Sequence, residues 1–401
     1  MRKHKSDRII GALTLVLLAA GMIVIYAIGP MRANVVNVAY GSNISENSFF
    51  IHQVACVIVS IFAMILAFKV PYRIIRRFGK AILLVGFLMC ALLAAMAFFG
   101  SSLARCELGA CRWFNLGSLL SFQPAEILKL GLILYLAGLI AERKKAGKLE
   151  SWSDFWLPFA IVCGLALLFV VVIQRDLGTG VTLMAIILAM LFMSGVRLRY
   201  FAMVLGVILV CGVLAIVTSP HRLERLQTFN SAESSDSYHI ENAMIAIGSG
   251  GLMGVGLGNS VQATGYLPES INDSVFAVMG ETFGFVGLLA VVAGFTTLLL
   301  RLLRTANYLH DDEQALVVVG IFAWIAAHVV VNIAAMTGLM PLTGITLPLL
   351  SYGGTSMMFM SVALGLALQL SCYTSREPRS ENAKQVSNGT HRQGVQRRSE
   401  L

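Results

Sequence analysis

Apolar runs of about 20 residues recur along this chain, each long enough to cross the ~30 Å hydrocarbon core of a bilayer as a helix. Ten can be placed, at roughly 9–29, 49–68, 81–100, 124–141, 155–173, 177–195, 200–219, 274–300, 315–336 and 353–372. They are continuously apolar rather than alternating, which excludes a β-barrel. Only 13% of the 401 residues are charged and 57% are hydrophobic, too few charges to cover a soluble protein of this size. The expected fold is an all-α polytopic membrane protein of ten transmembrane helices. Ile9–Gly29 follows a basic start, spans a bilayer and lacks a small-x-small cleavage site, so it reads as a membrane helix and not a cleaved signal.

The net charge of +9 suggests nucleic acid at first sight, but its distribution follows the positive-inside rule. With the N-terminus inside, the inside segments carry 23 of the thirty Lys and Arg residues. The outside segments carry only Arg32, Arg105, Arg112, Arg175, Arg222 and Arg225, and Lys129 lies within a span. The expected topology is N-in/C-in, with residues 1–8 a cytoplasmic start, 9–373 the membrane domain and 374–401 a disordered cytoplasmic tail. No nucleic-acid partner is implied. The basic hairpin Pro71–Lys80 reads as a contact with anionic lipid headgroups.

The longest connection, 220–273, is a large extracytoplasmic loop between the seventh and eighth spans. It carries His221, Arg222, Arg225, an apolar stretch Ile240–Ile247 that suits a short interfacial helix, and the glycine-rich run Gly248–Gly258. That run contains a G-x-G-x-x-G spacing, but no strand precedes it and no βαβ unit surrounds it, so a dinucleotide site is rejected. Tight turns and close packing are the reading kept. The loop ends in Tyr266-Leu-Pro-Glu269-Ser-Ile-Asn-Asp273, and an apolar run begins at Val275. Asp273 thus sits at a water–lipid boundary, where a carboxylate is costly to desolvate. It is either a general base or a cap for the helix starting at Ser274; spacing alone leaves both standing.

Other polar groups gather on the same outer side. Arg112 closes one loop. Glu126 and Lys129, three apart on one helix face after Pro124, form an ion pair or offer a phosphate contact. Arg175 and Asp176 share a very short turn, where Asp176 is read first as a helix cap. The stretch 338–356, with Pro341, Pro348 and several glycines, breaks regular helix. Irregular backbone at membrane depth is tolerated only against protein or a wet cavity, so this segment is expected to re-enter and face Asp273. His328, inside an apolar span, is read as a packing or hydrogen-bonding residue. Of seven cysteines, Cys56, Cys90, Cys163, Cys211 and Cys372 are packing residues. Cys106 and Cys111 share an outside loop, where a disulfide could close a tight turn before Arg112; free thiols are the alternative, and no nearby His completes a metal site.

Four stretches taken together resemble the SEDS family (shape, elongation, division and sporulation). They are Arg112 through Gln123-Pro-Ala-Glu126-x-x-Lys129; Gln174-x-Asp176-Leu-Gly-Thr179; Tyr266-Leu-Pro-Glu269-x-x-x-Asp273; and Leu347-Pro-Leu-Leu-Ser351-Tyr352-Gly353-Gly354-Thr-Ser356. The Thr346-Leu-Pro-Leu-x-Ser-Tyr run favours the cell-division branch over the elongation branch. The resemblance implies a ten-helix peptidoglycan glycosyltransferase of the bacterial plasma membrane, acting extracytoplasmically at the division septum. Its substrates would be lipid II and the nascent glycan strand, and its partners a single-span class B penicillin-binding protein and other division proteins. It implies that Asp273 matches the family's essential aspartate. Glu269, Ser351, Tyr352, Gly353 and Gly354 fall within its motifs as substrate-binding candidates, beside Arg112, Lys129, Glu126, Arg175 and Asp176. The chain departs from the family in several places: Arg175 stands for a usual Pro, Ala125 for Ser, Ile271 and Asn272 for a frequent His-Thr, Thr282 for a second Glu after Glu281, and His328 for Gln.

The chemistry expected is attack by a sugar hydroxyl on the anomeric carbon of the growing chain, with Asp273 as base and expulsion of a lipid pyrophosphate. Arg112, Lys129 and Arg175 are the cations available to the leaving group. A divalent cation, Mg²⁺ or Mn²⁺, could assist at the pyrophosphate, but no dedicated cage is visible and no metal site is predicted. The rival classes are a lipid II flippase and a divisome scaffold that recruits a transpeptidase. A flippase needs charged groups along a path through the membrane, whereas here they cluster on the outer side.

Overall fold

The computed structural model describes residues 5–107, 110–115, 121–217 and 235–374. His221, Arg222, Arg225, Gly117 and the tail from 375 lie outside that set. Among the described residues eleven helices run in chain order: α1 (Arg8–Tyr40), α2 (Ser48–Lys69), α3 (Tyr72–Phe98), α4 (Pro124–Lys145), α5 (Trp152–Ile173), α6 (Leu177–Ser194), α7 (Leu198–Val217), α8 (Ser235–Ser249), α9 (Val275–Tyr308), α10 (Asp312–Met336) and α11 (Thr355–Ser371). Among the described residues, eight are long and apolar enough to cross a bilayer; α7 and α11 contain shorter apolar helices.

The mostly helical expectation holds, with two corrections. The stretch before α4 is not simply loop: β1 (Ala104–Glu107), β2 (Ala110–Asn115) and β3 (Ser121–Phe122) form an antiparallel sheet in that order. Cys106 faces Cys111 across β1 and β2, and the two are joined as a disulfide. The chain is therefore not strictly all-α. Helix ends also differ from span ends. The basic hairpin after Pro71 is the first turns of α3, and α1 continues past Gly29 to Tyr40 with Pro30 inside it. Hydrophobicity marks what lipid covers, while a helix continues into water until its backbone is broken.

Helices α4 and α10 lie at the centre, and every residue from Leu128 to Leu134 of α4 is buried. Glycines let neighbouring helices approach closely, as is usual where apolar lipid gives helices no reason to associate. A Cβ on Gly131 would lie 2.6 Å from Leu83 Cα, one on Gly86 2.8 Å from Leu128 Cα, and one on Gly365 2.3 Å from the Met64 carbonyl. These contacts lock α3 to α4 and α2 to α11. At the end of the bundle away from Asp273, Arg76 pairs with Glu313 at 2.9 Å and Lys144 with Asp312 at 3.3 Å.

Gly284 interrupts α9 with φ 67° and ψ −166°, a conformation open to glycine and strained for other residues. The glycine-rich run packs into that break. The backbone N–H groups of Val255 and Gly256 donate to the carbonyls of Glu281 and Thr282, and those of Phe285 and Val286 donate to Gly251 and Leu252. The apolar stretch Ile240–Ile247 lies within α8, as the sequence suggests, and α8 packs on α9.

Candidate active site

Asp273 ends a tight turn immediately before α9. The turn is closed by N–H groups of Asn272 and Ser274 donating to the Glu269 carbonyl, with Glu269 at φ 48°. Ser274, not Asp273, occupies the cap position of α9. The Asp273 carbonyl accepts from Asn332 Nδ2 of α10 at 2.7 Å, while its carboxylate Oδ1 is buried without a hydrogen-bond partner. Burial, and then the charge of the nearby Glu269 carboxylate, push the Asp273 carboxyl up to about 7; its own backbone N–H and the N–H and hydroxyl of Ser274 pull less strongly the other way. Such a group switches between base and acid near neutral pH. Glu269 is itself 3.6 Å from Arg32 of α1 and accepts from Asn272.

The irregular segment between α10 and α11 passes Asp273 and ties three groups of polar residues together. Asn332 Nδ2, while holding the Asp273 carbonyl, also donates to the Ile345 carbonyl at 2.7 Å. Tyr352 N–H donates to the Ile271 carbonyl at 2.8 Å, which fixes the segment against the turn carrying Asp273. Ser351 Oγ accepts from Leu347 N–H at 2.8 Å and so stays inside the segment's own fold. The Tyr352 ring meets Phe49 and His52 of α2, and Gly353 and Gly354 lead into α11.

The second group is Arg112 with the 175–176 turn. Arg112, delivered by β2, donates to the Arg175 carbonyl at 3.1 Å, and a Cβ on Gly344 would lie 3.8 Å from its guanidinium. Arg175 has φ 54°, a left-handed conformation that no proline can adopt. Asp176 is fully engaged as a cap: it accepts from Thr179 N–H at 3.1 Å, Thr179 Oγ1 at 2.8 Å and Gln123 Nε2 at 3.2 Å. It joins the starts of α4 and α6.

In the third group, Lys129 is fully buried, 2.9 Å from Glu126 Oε1, 3.3 Å from His328 Nε2 and 4.7 Å from the centre of the Trp324 ring. His328 Nδ1 lies 3.3 Å from the Thr346 carbonyl. A carbonyl only accepts and an ammonium only donates, so the ring is neutral and protonated at Nδ1. Lys129 therefore sits as a buried ion pair rather than at an open outer mouth. Removing one partner of such a pair strands a charge, whereas replacing both with apolar residues does not. Lys129→Met is expected to lower stability by about 3–5 kcal/mol, and Glu126→Leu with Lys129→Met to restore most of it, as read from thermal unfolding in detergent.

His239 and Glu281 were not singled out by sequence reasoning. His239 Nε2 lies 2.6 Å from Ser274 Oγ, next to Asp273. Glu281 is buried and accepts from Ser260 Oγ and from the N–H groups of Val261 and Gln262, holding the loop onto α9. Both pairings join residues far apart in the chain, and no local pattern signals them.

The chain matches the family model for cell cycle proteins of the FtsW, RodA and SpoVE type over residues 8–376. It is 33% identical over 379 residues to the stage V sporulation protein E of Bacillus subtilis, covering 93% of this chain and 99% of that protein. It is 36% identical over 321 residues to a probable peptidoglycan glycosyltransferase FtsW of Aliivibrio salmonicida, covering 77% of each. Its fold is that of the rod shape determining protein RodA of Thermus thermophilus, with a TM-score of 0.66 at 24% identity over 92% of this chain and 98% of that one. A chain of a peptidoglycan synthase complex that coordinates polymerization and crosslinking superposes with a TM-score of 0.71 at 24% identity, over 91% of this chain and 97% of its own length. On this family match and these relatives, the chain belongs to the FtsW/RodA/SpoVE family, the SEDS family its motifs resemble, and is FtsW-like within it.

Proposed function

We propose that this protein is a peptidoglycan glycosyltransferase that polymerises lipid II during cell division, with Asp273 as general base. The observation that carries the reading is a buried carboxylate oxygen without a partner, on a residue whose backbone is pinned by Asn332 and whose proton affinity is raised to about 7. A sugar hydroxyl of the incoming lipid II passes its proton to Asp273 as its oxygen bonds to the anomeric carbon of the growing chain. The bond from that carbon to the lipid pyrophosphate breaks with inversion, giving a β-linkage, and Asp273 then returns the proton to water. In this reading Arg112, which is bonded to the Arg175 carbonyl, offsets charge on the departing pyrophosphate together with Arg175. A metal is not assigned a step: among the described residues no three His, Cys, Asp or Glu side chains come together to hold one.

The same reading takes the eight long helices together with α7 and α11 as ten membrane spans, leaving α8 at the surface. With an N-in/C-in topology, Asp273 faces the extracytoplasmic side of the bacterial plasma membrane, at the septum. Relatives named peptidoglycan glycosyltransferase support the activity, and the synthase complex whose chain shares this fold supports a penicillin-binding transpeptidase as partner.

The test is polymerisation of labelled lipid II by the purified protein, with a cognate partner whose own glycosyltransferase activity is excluded. The rate is expected to rise about tenfold per pH unit below pH 7 and to level off above it, because the base acts only when deprotonated. Movement of lipid II across vesicles without any polymer would replace this reading with the flippase.

A further inference from the structure

Ser274 heads α9, yet its hydroxyl makes no capping bond to the helix. Serine at a helix start ordinarily accepts from a first-turn N–H, an interaction worth about 1 kcal/mol. Here the hydroxyl is fully buried and turned elsewhere: it donates to the Pro268 carbonyl at 2.9 Å and lies 2.6 Å from His239 Nε2. The Pro268 carbonyl and the Asp273 carboxylate, which the hydroxyl also meets, can only accept, so between them they take the single hydroxyl proton. His239 must then supply the proton of the second bond, which makes its ring protonated at Nε2 and a donor to Ser274 Oγ. His239 lies on α8, only 8% exposed, so this bond ties α8 to the residue following Asp273.

The neighbours of Asp273 explain why that tie matters. Its Oδ1 has no partner, and the hydrogen bonds the carboxyl does receive come from its own N–H and from the N–H and hydroxyl of Ser274, so the position of the side chain depends on this short stretch of chain. On one flank that backbone is held by Asn332, through the Asp273 carbonyl. Ile271 is apolar and buried, and the Asn272 amide is engaged with Glu269. Tyr352 N–H holds the Ile271 carbonyl before Asp273, and the side-chain anchor after it is Ser274, gripped by His239. A forgone helix cap beside a reactive group is the kind of local departure expected where positioning outranks stability.

We propose that His239 is a positioning residue for Asp273, acting through Ser274. The inference rests on the reading of Asp273 as the base and adds to it the side chain that aims it. A base misplaced by about 1 Å loses on the order of 100-fold in rate.

The experiment measures kcat and KM on labelled lipid II, and thermal unfolding, for the full chain with its partner. His239→Ala and Ser274→Ala are each expected to lower kcat about 10–100-fold with KM within about twofold. The double variant should be no worse than either single one, because both break the same link. His239→Gln, which keeps an N–H donor, should recover part of the rate. His239→Ala placed in an Asp273→Asn background should remove nothing further. Should His239→Ala fail to fold, Ser274→Ala and His239→Gln decide on the same criteria. Wild-type kcat in folded His239→Ala, or multiplying losses in the double variant, would overturn the proposal. The two readings separate cleanly: an active Asp273→Asn removes the base assignment itself, whereas an inactive Asp273→Asn beside a fully active His239→Ala removes only the positioning role.

Discussion

Asp273→Asn is expected to lower the rate of glycan polymerisation by ~10²–10⁴-fold, the usual contribution of a general base, in a protein that still folds. The amide keeps the size and shape of the carboxyl but cannot take a proton from the sugar hydroxyl. Stability distinguishes this from simple damage. The Asp273 carboxyl holds its proton up to about pH 7 in the folded protein, against an ordinary carboxylate value of 3.8. Between those limits the unfolded chain has released its proton and the folded chain has kept it, so wild-type stability falls as pH rises from about 4 to 7. The Asn variant has no such proton to retain. Its melting temperature should match or exceed that of wild type, with the difference growing in its favour across that window. A folded Asn variant that polymerises at the wild-type rate would refute the assignment.

The second large effect is structural and falls on Gly254. It has φ +81°, and a Cβ there would lie 2.2 Å from the Thr282 carbonyl oxygen and 2.6 Å from Phe283 N. Those atoms are main chain, so no side chain can swing aside to make room. Gly254→Val is expected to destabilise by at least about 3 kcal/mol, through both backbone strain and the clash, and to leave little folded protein in the membrane. Gly258 is the control: it has φ +80° in the same run, but a Cβ there would meet no atom within 4 Å. Gly258→Ala should cost only about 1 kcal/mol, the strain alone. Fluorescence-detected size exclusion of the two variants, followed by thermal unfolding, compares them directly. Equal losses would mean that the run does not pack into the break in α9 as described.

Much of this architecture could be read from the chain because lipid imposes a simple rule: an apolar run of about 20 residues becomes a helix. Asp273 stood out for the same reason, as a carboxylate abutting such a run. The irregular stretch, read as 338–356, was visible from its prolines and glycines, and the Cys106–Cys111 disulfide was one of two readings left open by their position in one loop. Helix ends were not visible, since residues such as Arg73 and Arg76 continue a helix as readily as they end an apolar run. The small sheet was missed because its strands are short, two to six residues each. The depth of Lys129 was missed for another reason. Three-residue spacing puts it on one face with Glu126, but only the packing of α4 against α10 shows that this face is turned inward. His239 was invisible because its partner lies 35 residues away.

Apart from Ser274, whose hydroxyl meets His239, and Glu269, whose carboxylate meets Arg32, the segments around Asp273 are gripped through their main-chain atoms. Side chains on α10 and β2 reach carbonyls of Asp273, Ile345 and Arg175, and the Tyr352 N–H reaches that of Ile271. Every amino acid presents the same carbonyl, so the identity of a residue in these segments matters less than the path it follows. Natural drift can therefore rewrite the words of the turn without changing its grammar. It also means that resistance to a compound wedged into this region would arise more readily in the helices that do the gripping than in the strand being gripped.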